Sequence, residues 1–335
     1  MREKGKKTLI IGIFGLWFFL VQGIGLVEAK DPDYPTKPIT FYIAFEAGGT
    51  IDSVIRPLLE TTGKYLGQPF IPVNKPGSAG VLAAMAVMNA KPDGYTLGSC
   101  TSSAVYVMPH MKECPYKDLS GFTFIMNFSE HVLPLIVRGD SPHKTWKEFI
   151  EWARKNPRAA KIGTPGGKSQ STPAMAVWEA EQKEKVEFTI IPFKGSGESF
   201  NALLGGHITM YATGLTPQLI PYIKEGKVRI LAYSSKGKVP GYEDIPSFYG
   251  LYGLEIHSPM GVWGPKDLPN YVLEKLDDAF SKGVKDPSFI DVMNRMYMPI
   301  VYMNRAEVNK DLIETFPKYG EIMKKLRAEE AKEKK

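Results

Sequence analysis

The sequence predicts an α/β protein whose sheets are mainly parallel and covered by helices. Two observations predict this fold class. Short apolar segments alternate along the chain with longer segments whose apolar residues recur at helical spacing. The connections between them are rich in glycine, proline and aspartate, as in Lys75-Pro76-Gly77 and Pro92-Asp93-Gly94. At 335 residues, with 43% hydrophobic and 23% charged residues, the chain is long enough for two packed lobes.

The N-terminal segment has the composition of an export signal. Basic residues from Arg2 to Lys7 precede an apolar run over residues 9–27, and Ala29 ends a small-residue pattern suited to signal peptidase. We therefore expect residues 1–29 to be a cleaved signal peptide and the mature protein to reside in the periplasm. The run is nearly long enough to span a bilayer, so an uncleaved N-terminal anchor is the alternative.

The first part of the mature chain is predicted to alternate strand and helix. Over residues 51–66 the apolar side chains lie on one helical face, Thr50 is suited to the N-cap, and Asp52 is suited to the positive end of the helix dipole. Pro57 removes one backbone donor, so we expect a kink or a later helix start. The predicted elements are strands at 39–45, 70–74 and 95–100 and helices at 51–66 and 79–90.

The rest of the chain continues this alternation and ends in helices. Thr145 and Glu148 have the spacing of a capping box at a helix start. The charged tail over residues 327–335 lacks the interleaved aromatic residues of a single-strand nucleic-acid groove, so we predict a frayed terminus and no nucleic-acid partner. Further strands are predicted at 133–137, 161–164, 188–192, 208–213, 228–233 and 260–263, and helices at 172–184, 198–204, 218–225, 271–285, 289–296 and 306–326.

Three loops rich in glycine and hydroxyl groups follow predicted strands and precede predicted helices. They cover residues 45–50, 163–169 and 193–197. In a parallel sheet such loops meet at the carboxyl edge, where helix N-terminal amides and glycine backbone can contact a small anion. For any single loop, glycines that serve only a tight turn are the alternative. The matching placement of the three loops predicts a binding crevice for a small anion.

The sequence lacks the common signatures of nucleotide hydrolysis, acyl transfer and metal binding. The segment Gly166-Gly167-Lys168-Ser169 resembles the end of a phosphate-binding P-loop, but Ile162 stands where that motif requires glycine. No serine lies in a G-x-S-x-G pattern, and the five histidines show no metal-binding spacing. We therefore expect no enzymatic activity, no cofactor and no metal. The alternative is an exported hydrolase or transferase that uses Asp52, Lys168 or Ser169.

Cys100 and Cys114 are the only cysteines of the chain. An exported protein meets an oxidising compartment, where the two could form a disulfide. Two separate buried thiols are equally compatible with the sequence, which says nothing of their geometry. Their pairing is therefore left open.

A series of short motifs lies in a characteristic order along residues 34–326. In this combination the chain resembles the Bug-type substrate-binding receptors of tripartite tricarboxylate transporters, which are periplasmic two-lobed proteins. Ala44, Lys168, Thr172 and Ala202 depart from the usual pattern of that family, so the resemblance leaves the ligand unidentified. The motifs are residues 34–39, 45–52 with Arg56, 73–80, 92–97, 191–195, 203–206, 226–232 and 261–265.

The resemblance implies a two-lobed fold of the type II periplasmic-binding-protein (Venus flytrap) kind. Residues 31–133 and 257–335 would form lobe 1, residues 134–256 would form an inserted lobe 2, and the two crossings would form the hinge. Loop amides, hydroxyl groups and water would hold a ligand carboxylate between two aromatic rings, Phe45 and Phe193. The expected ligand-binding residues are Phe45, Ala47, Gly48, Gly49, Thr50, Asp52, Thr101, Thr164, Pro165, Gly166, Gly167, Lys168, Ser169, Phe193, Lys194, Gly195 and Thr213.

These observations lead to one functional hypothesis. A small carboxylate-bearing molecule binds one lobe, and closure completes its hydrogen bonds from the other lobe. The closed form, which we expect to be a monomer, then docks on the membrane permease subunits of a tripartite transporter. The alternatives within the same class are a receptor for a non-carboxylate compound and a receptor that serves a sensor kinase.

Overall fold

The described part of the chain contains two β-sheets. The computed structural model describes residues 33–167, 171–234, 239, 241–253 and 258–333. The predicted signal peptide, Lys168, Ser169 and the second predicted lobe crossing near residue 257 lie outside these ranges. The strands within the described residues are β1 (Ile39–Ile43), β2 (Phe70–Asn74), β3 (Thr96–Thr101), β4 (Phe122–Glu130), β5 (Leu133–Arg138), β6 (Lys161–Pro165), β7 (Thr189–Phe193), β8 (Met210–Ala212), β9 (Val228–Ser234), β10 (Pro259–Pro265) and β11 (Ile300–Met303).

The six-stranded sheet combines strands from distant parts of the chain, in the order β11-β4-β10-β3-β1-β2. In this sheet β1 pairs in parallel with β2 and β3, and β10 runs antiparallel between β3 and β4. The five-stranded sheet has the order β7-β6-β8-β5-β9, with β6 parallel to both β7 and β8 and β5 antiparallel to its neighbours. We call the first sheet with its helices lobe 1 and the second sheet with its helices lobe 2. The predicted α/β fold class is confirmed, but the prediction of mainly parallel sheets is wrong. Both sheets are mixed, because β10 returns antiparallel into the first sheet and β5 into the second.

Helices cover both sheets. Lobe 1 takes its covering helices mainly from the two ends of the described chain, and lobe 2 takes them from the middle. The helices in the described part of the chain are α1 (Thr50–Leu66), α2 (Val81–Met88), α3 (Trp146–Lys155), α4 (Thr172–Glu184), α5 (Ser196–Leu204), α6 (Leu219–Lys224), α7 (Phe248–Tyr252), α8 (Asn270–Gly283), α9 (Pro287–Arg295) and α10 (Arg305–Glu333). None of these helices combines the length and the apolar character that a membrane span requires.

The apolar spacing of α1 determines which face it buries. Val54, Ile55 and Leu58 are buried against the core of lobe 1, where α1 packs on α8 and α9. Pro57 lies inside the helix, which nevertheless begins at Thr50, so the expected delay of its start is wrong. The N-cap is Gly49 rather than Thr50, because Thr50 already has helical geometry and its hydroxyl group is bonded elsewhere.

Two predicted features of the later helices have opposite outcomes. At the start of α3, Thr145 Oγ1 accepts a hydrogen bond from the Glu148 amide at 3.2 Å, which confirms the predicted cap. The prediction of a frayed C-terminal tail is wrong, because α10 continues to Glu333. Within this segment Glu329 accepts hydrogen bonds from Trp178 Nε1 at 3.0 Å and Gln182 Nε2 at 3.2 Å, both on α4 of lobe 2.

The local sequence pattern does not predict β4 and β11, and it places the start of α2 too early. Nearly every residue of β4 is buried, so the strand has neither the alternation of a half-exposed strand nor a helical period. Ahead of α2, Ser78 and Ala79 have positive φ angles of 48° and 52° and form a separate turn. Regular helix therefore begins at Val81.

Candidate binding site between the lobes

The loop that follows β1 is organised by a carboxylate within it. The Asp52 side chain accepts hydrogen bonds from the Gly48 amide at 2.9 Å, Arg56 Nε at 2.8 Å and Asn74 Nδ2 at 2.8 Å. Asn74 also donates to the Phe45 carbonyl at 2.9 Å. Asp52 therefore holds the glycine loop in shape, and its predicted contact with a ligand stays a prediction. The loop pattern alone did not single out Arg56 and Asn74 as the partners of Asp52.

The start of α1 has backbone donors that no side chain caps. Gly49 is the N-cap and provides no side-chain acceptor. The hydroxyl group of Thr50 donates instead to the carbonyl of Leu215 in lobe 2 at 2.6 Å. Ala47 and Gly48, which precede the cap, are exposed. The first turn of α1 therefore presents amide groups and the positive end of its dipole to the space beside the loop.

The two predicted loops of lobe 2 are joined to each other. Thr164 Oγ1 donates to the Gly166 carbonyl at 2.8 Å, and the Gly166 amide donates to the Phe193 carbonyl at 3.2 Å. Gly195 is the N-cap of α5 and, like Gly49, provides no side-chain cap. Lobe 2 therefore repeats the arrangement of lobe 1, with an uncapped helix start after a parallel strand.

Most of the predicted site residues lie in the glycine loops of the two lobes or at the strand ends beside them. Phe45 packs partly on the core of lobe 1, and Phe193 packs partly on the core of lobe 2. Thr50, Asp52, Thr101, Thr164 and Thr213 are buried, Phe45, Gly49, Pro165, Gly166, Gly167, Phe193 and Gly195 are partly buried, Ala47, Gly48 and Lys194 are exposed, and Lys168 and Ser169 lie outside the described residues.

Hydrogen bonds connect the loop ends of one lobe to those of the other. Besides the bond from Thr50 to Leu215, Ser102 of lobe 1 shares a hydrogen bond of 2.9 Å with Thr172, the first residue of α4 in lobe 2. Ser102 also shares one of 2.5 Å with Ser258, just before β10. The carboxyl ends of strands from both sheets are therefore brought together, as a shared crevice requires.

Some of the hydroxyl groups in this region have no partner. Thr101 Oγ1, at the end of β3, is buried and makes no hydrogen bond within the described residues. A Cβ built on Gly80 would lie 3.0 Å from it. Ser199 Oγ on α5, which lies beside Gly163, is also buried and makes no hydrogen bond within the described residues. A buried hydroxyl group without a partner costs about 1–3 kcal/mol, so such groups mark places where a ligand or water completes the structure.

One histidine lies at the crossing between the lobes. The His131 amide, between β4 and β5, donates to the Ser258 carbonyl at 2.7 Å and so joins this crossing to the start of β10. Its Nε2 atom is buried without a partner in the described residues, and burial lowers the pKa of His131 to about 4. The ring is next to Gly214 and Thr50, since a Cβ built on Gly214 would overlap Nε2 and lie 2.5 Å from Thr50 Oγ1.

The cluster of hydroxyl groups on Ser102, Ser103, Thr172 and Ser258 was not predicted from the sequence. The signal was present in part, because Thr101-Ser102-Ser103 follows a predicted strand in the same way as the three glycine loops. Thr172 and Ser258 had no such signal, since only the tertiary structure places them beside Ser102. Cys100 and Cys114 are free, buried thiols in the structure, and burial raises the pKa of both.

The chemistry of the site is that of neutral hydrogen-bond donors. Its groups are helix amides and hydroxyls, and Asp52 is already bonded within its own loop. Across the described part of the chain, no group of three or more His, Cys, Asp or Glu side chains is arranged to hold a metal ion. Two α/β lobes that gather such donors where their strand ends meet define the class of two-lobed solute-binding proteins.

Comparison with known structures agrees with this class. The solved structure of the periplasmic binding protein BugD is 27% identical, with a TM-score of 0.77, and the match covers 87% of this chain and 98% of that chain. Rpa4515 of R. palustris, solved with adipate, has a TM-score of 0.79 at 22% identity, covering 87% of this chain and 98% of that chain, which shows a shared fold.

The comparison of sequences gives the family. The family model described as "Tripartite tricarboxylate transporter family receptor" matches residues 54–328. The Cupriavidus necator protein named "UPF0065 protein in gbd 5'region" is 34% identical over 300 residues, which are 89% of this chain and 90% of that protein. The chain therefore belongs to the tripartite tricarboxylate transporter receptor family, as its motifs predicted.

Proposed function

We propose that this chain is an extracytoplasmic receptor that encloses a small carboxylate-bearing molecule between its lobes and delivers it to the permease of a tripartite transporter. The observation that carries the proposal is that uncapped helix starts from both lobes, at Gly49 and Gly195, accompany a buried hydroxyl without a partner at Thr101. Membership of a receptor family and the adipate of the R. palustris neighbour support a carboxylate as the ligand.

The site binds by donating hydrogen bonds rather than by countering charge with a buried cation. A carboxylate placed beside the start of α1 accepts from amide groups whose dipole favours negative charge, while the start of α5 faces the rest of the ligand from the other lobe. The Thr101 hydroxyl then obtains the acceptor that it lacks in the described structure. Phe45 and Phe193 enclose the apolar part of the molecule, one ring from each lobe. Every group in this account binds or orients the ligand, so no bond of the ligand is made or broken.

Closure depends on contacts that join the two lobes. The hydrogen bonds from Thr50 to Leu215 and between Ser102 and Thr172 form only when the strand ends of the two lobes are adjacent. A ligand that contacts both lobes adds further interactions between them and so shifts the population toward the closed form. The permease then distinguishes the loaded receptor by its shape. The proposal includes two further points. The lobes meet at boundaries between residues 133 and 134 and between residues 256 and 257, and residues 1–29 are the signal that exports the protein.

The test is to identify what the purified protein holds. The mature chain, beginning after Ala29, is isolated from the periplasm and examined by native mass spectrometry, and the retained compound is then titrated calorimetrically into the protein stripped of ligand. We expect a small organic acid that binds unchanged at one site and reduces the radius of gyration in small-angle scattering. A retained compound without a carboxylate, or conversion of the ligand into a product, would refute the proposal.

A further inference from the structure

The glycine loop of lobe 1 contains a second acidic residue, Glu46, whose position differs from that of Asp52. Asp52 is buried and bonded to Gly48, Arg56 and Asn74. Glu46 is exposed, and within the described residues its carboxylate has no hydrogen-bond or ion-pair partner. Of the two carboxylates in this loop, Glu46 is therefore the one free to interact with a ligand.

Glu46 faces the other lobe at the point where the proposed ligand binds. Its Oε2 atom lies 3.5 Å from the position of a Cβ built on Gly195, the uncapped N-cap of α5. The neighbouring acid on α5, Glu198, already accepts a hydrogen bond from the Lys194 amide at 3.1 Å. A negative charge from lobe 1 thus stands against the helix start of lobe 2 that would otherwise attract an anion.

We propose that Glu46 is a specificity-determining residue, and that the ligand carries one carboxylate for the loop amides and, at its other end, a cationic or hydrogen-bond-donating group for Glu46. This inference rests on the proposed function. The substrate class is then an amino acid or an acid amide rather than a dicarboxylate. A second carboxylate on the ligand would meet the Glu46 charge at the start of α5, where like charges repel.

The size of the effect follows from the geometry. Two like charges about 6–8 Å apart at an effective dielectric constant of about 20 change an affinity by about 30- to 100-fold without salt and by about 4- to 9-fold at physiological ionic strength. An ammonium group at the same position gains a comparable factor. The preference between the two ligand types should therefore shift by about tenfold or more when the charge of Glu46 is removed and its shape is kept.

The experiment uses the full mature protein and ligands that differ only at one end. Dissociation constants are measured calorimetrically for succinate, succinamate and 4-aminobutanoate, and for the longer series of adipate, adipamate and 6-aminohexanoate. The variants are Glu46→Gln and, as a control of equal charge change, Glu60→Gln on an exposed position of α1. Thermal unfolding checks that both variants are folded.

The expected result is that the unmodified protein prefers the amino acid or the amide to the diacid of the same length. Glu46→Gln should move this ratio toward the diacid by about fivefold for the amide and by about tenfold or more for the amino acid, and Glu60→Gln should leave both ratios unchanged. The ratio should also fall with added salt in the unmodified protein but not in Glu46→Gln. Equal or better binding of the diacid, with a ratio unaffected by Glu46→Gln, would overturn the inference while the receptor function stands. If the compound retained by the purified protein has no carboxylate, the proposed function fails, and the Glu46 assignment fails with it.

Discussion

Substitution of Gly214 by alanine is expected to impair closure while leaving the lobes folded. Gly214 belongs to the loop after β8 in lobe 2. A Cβ at this position would overlap His131 Nε2 at the crossing and lie 2.5 Å from Thr50 Oγ1 in lobe 1. If the lobes separate, we expect Thr50 to move away from Gly214 with lobe 1 and the His131 ring at the crossing to gain room to rotate. The new methyl group is therefore tolerated in an open form and resisted in a closed one.

The magnitude follows from the cost of an added methyl group in a packed site, about 1–3 kcal/mol. If this cost applies to the closed form alone, it weakens ligand binding by roughly 5-fold to 150-fold. The bond of 2.6 Å from Thr50 to Leu215 should be lost at the same time, since Thr50 must move. The free energy of unfolding without ligand should change by less than about 1 kcal/mol, because the open form relieves the overlap.

The assay compares Gly214→Ala with a second glycine of lobe 2. Gly250 lies at an exposed position of α7, away from the crossing and the glycine loops. Apart from its chain neighbours and the helix backbone, the one described atom within 4 Å of a Cβ built there is Ser247 Oγ at 3.3 Å, so Gly250→Ala adds the same methyl group with little obstruction. Calorimetry should show weakened binding for Gly214→Ala alone, and small-angle scattering should show that this variant compacts less at saturating ligand. Normal affinity and normal compaction of Gly214→Ala would refute the reasoning that this junction forms only on closure.

Three further predictions concern single side chains. Thr101→Val should weaken ligand binding by about fivefold or more without loss of stability, since it removes a hydroxyl that lacks a partner. Thr62→Val, which removes a similar hydroxyl where α1 meets Gly283, should leave calorimetric affinity unchanged. The stability of the protein should fall as the pH falls from about 6.5 to about 4, by up to roughly 3 kcal/mol, because the unfolded chain takes up a proton at His131 before the folded chain does. Urea titrations across this range should show a flatter profile for His131→Asn. Asp52→Ala should lower the free energy of unfolding by about 2–3 kcal/mol, because it leaves the donors of the glycine loop without their acceptor. Asp278→Ala, which removes an exposed ion pair, should cost less than about 1 kcal/mol in the same urea titration.

Local patterns predicted most of the secondary structure because the responsible forces act over a few residues. The apolar face of α1 and the Thr145 cap of α3 are examples, since both depend on side chains one helical turn apart. β4 was missed because it is buried in the middle of a sheet, and an almost fully buried strand has no periodic pattern. The tail was misread because its helix is held by Trp178 and Gln182, which are far away in the sequence.

The candidate site was predictable only to the level of loops. A glycine after a strand and before a helix indicates an exposed helix start, and the structure has such starts at Gly49 and Gly195. The sequence did not distinguish the use of the two acids in the first loop. The Asp52 carboxylate accepts hydrogen bonds from Asn74 and Arg56, whereas the Glu46 carboxylate lies beside Gly195 of lobe 2. That difference depends on packing between residues that are distant along the chain.

By itself, the sequence determined the fold class, the family and the loops at the strand ends, because periodicity, turn residues and motif order are local properties of the chain. Only the tertiary structure decided which groups meet. It placed Thr50 against Leu215, Ser102 against Thr172, and His131 beside Gly214. The physical reason is that a hydrogen bond or a steric contact depends on distances of a few ångströms, which are set by the packing of two sheets and not by the spacing of residues along either one.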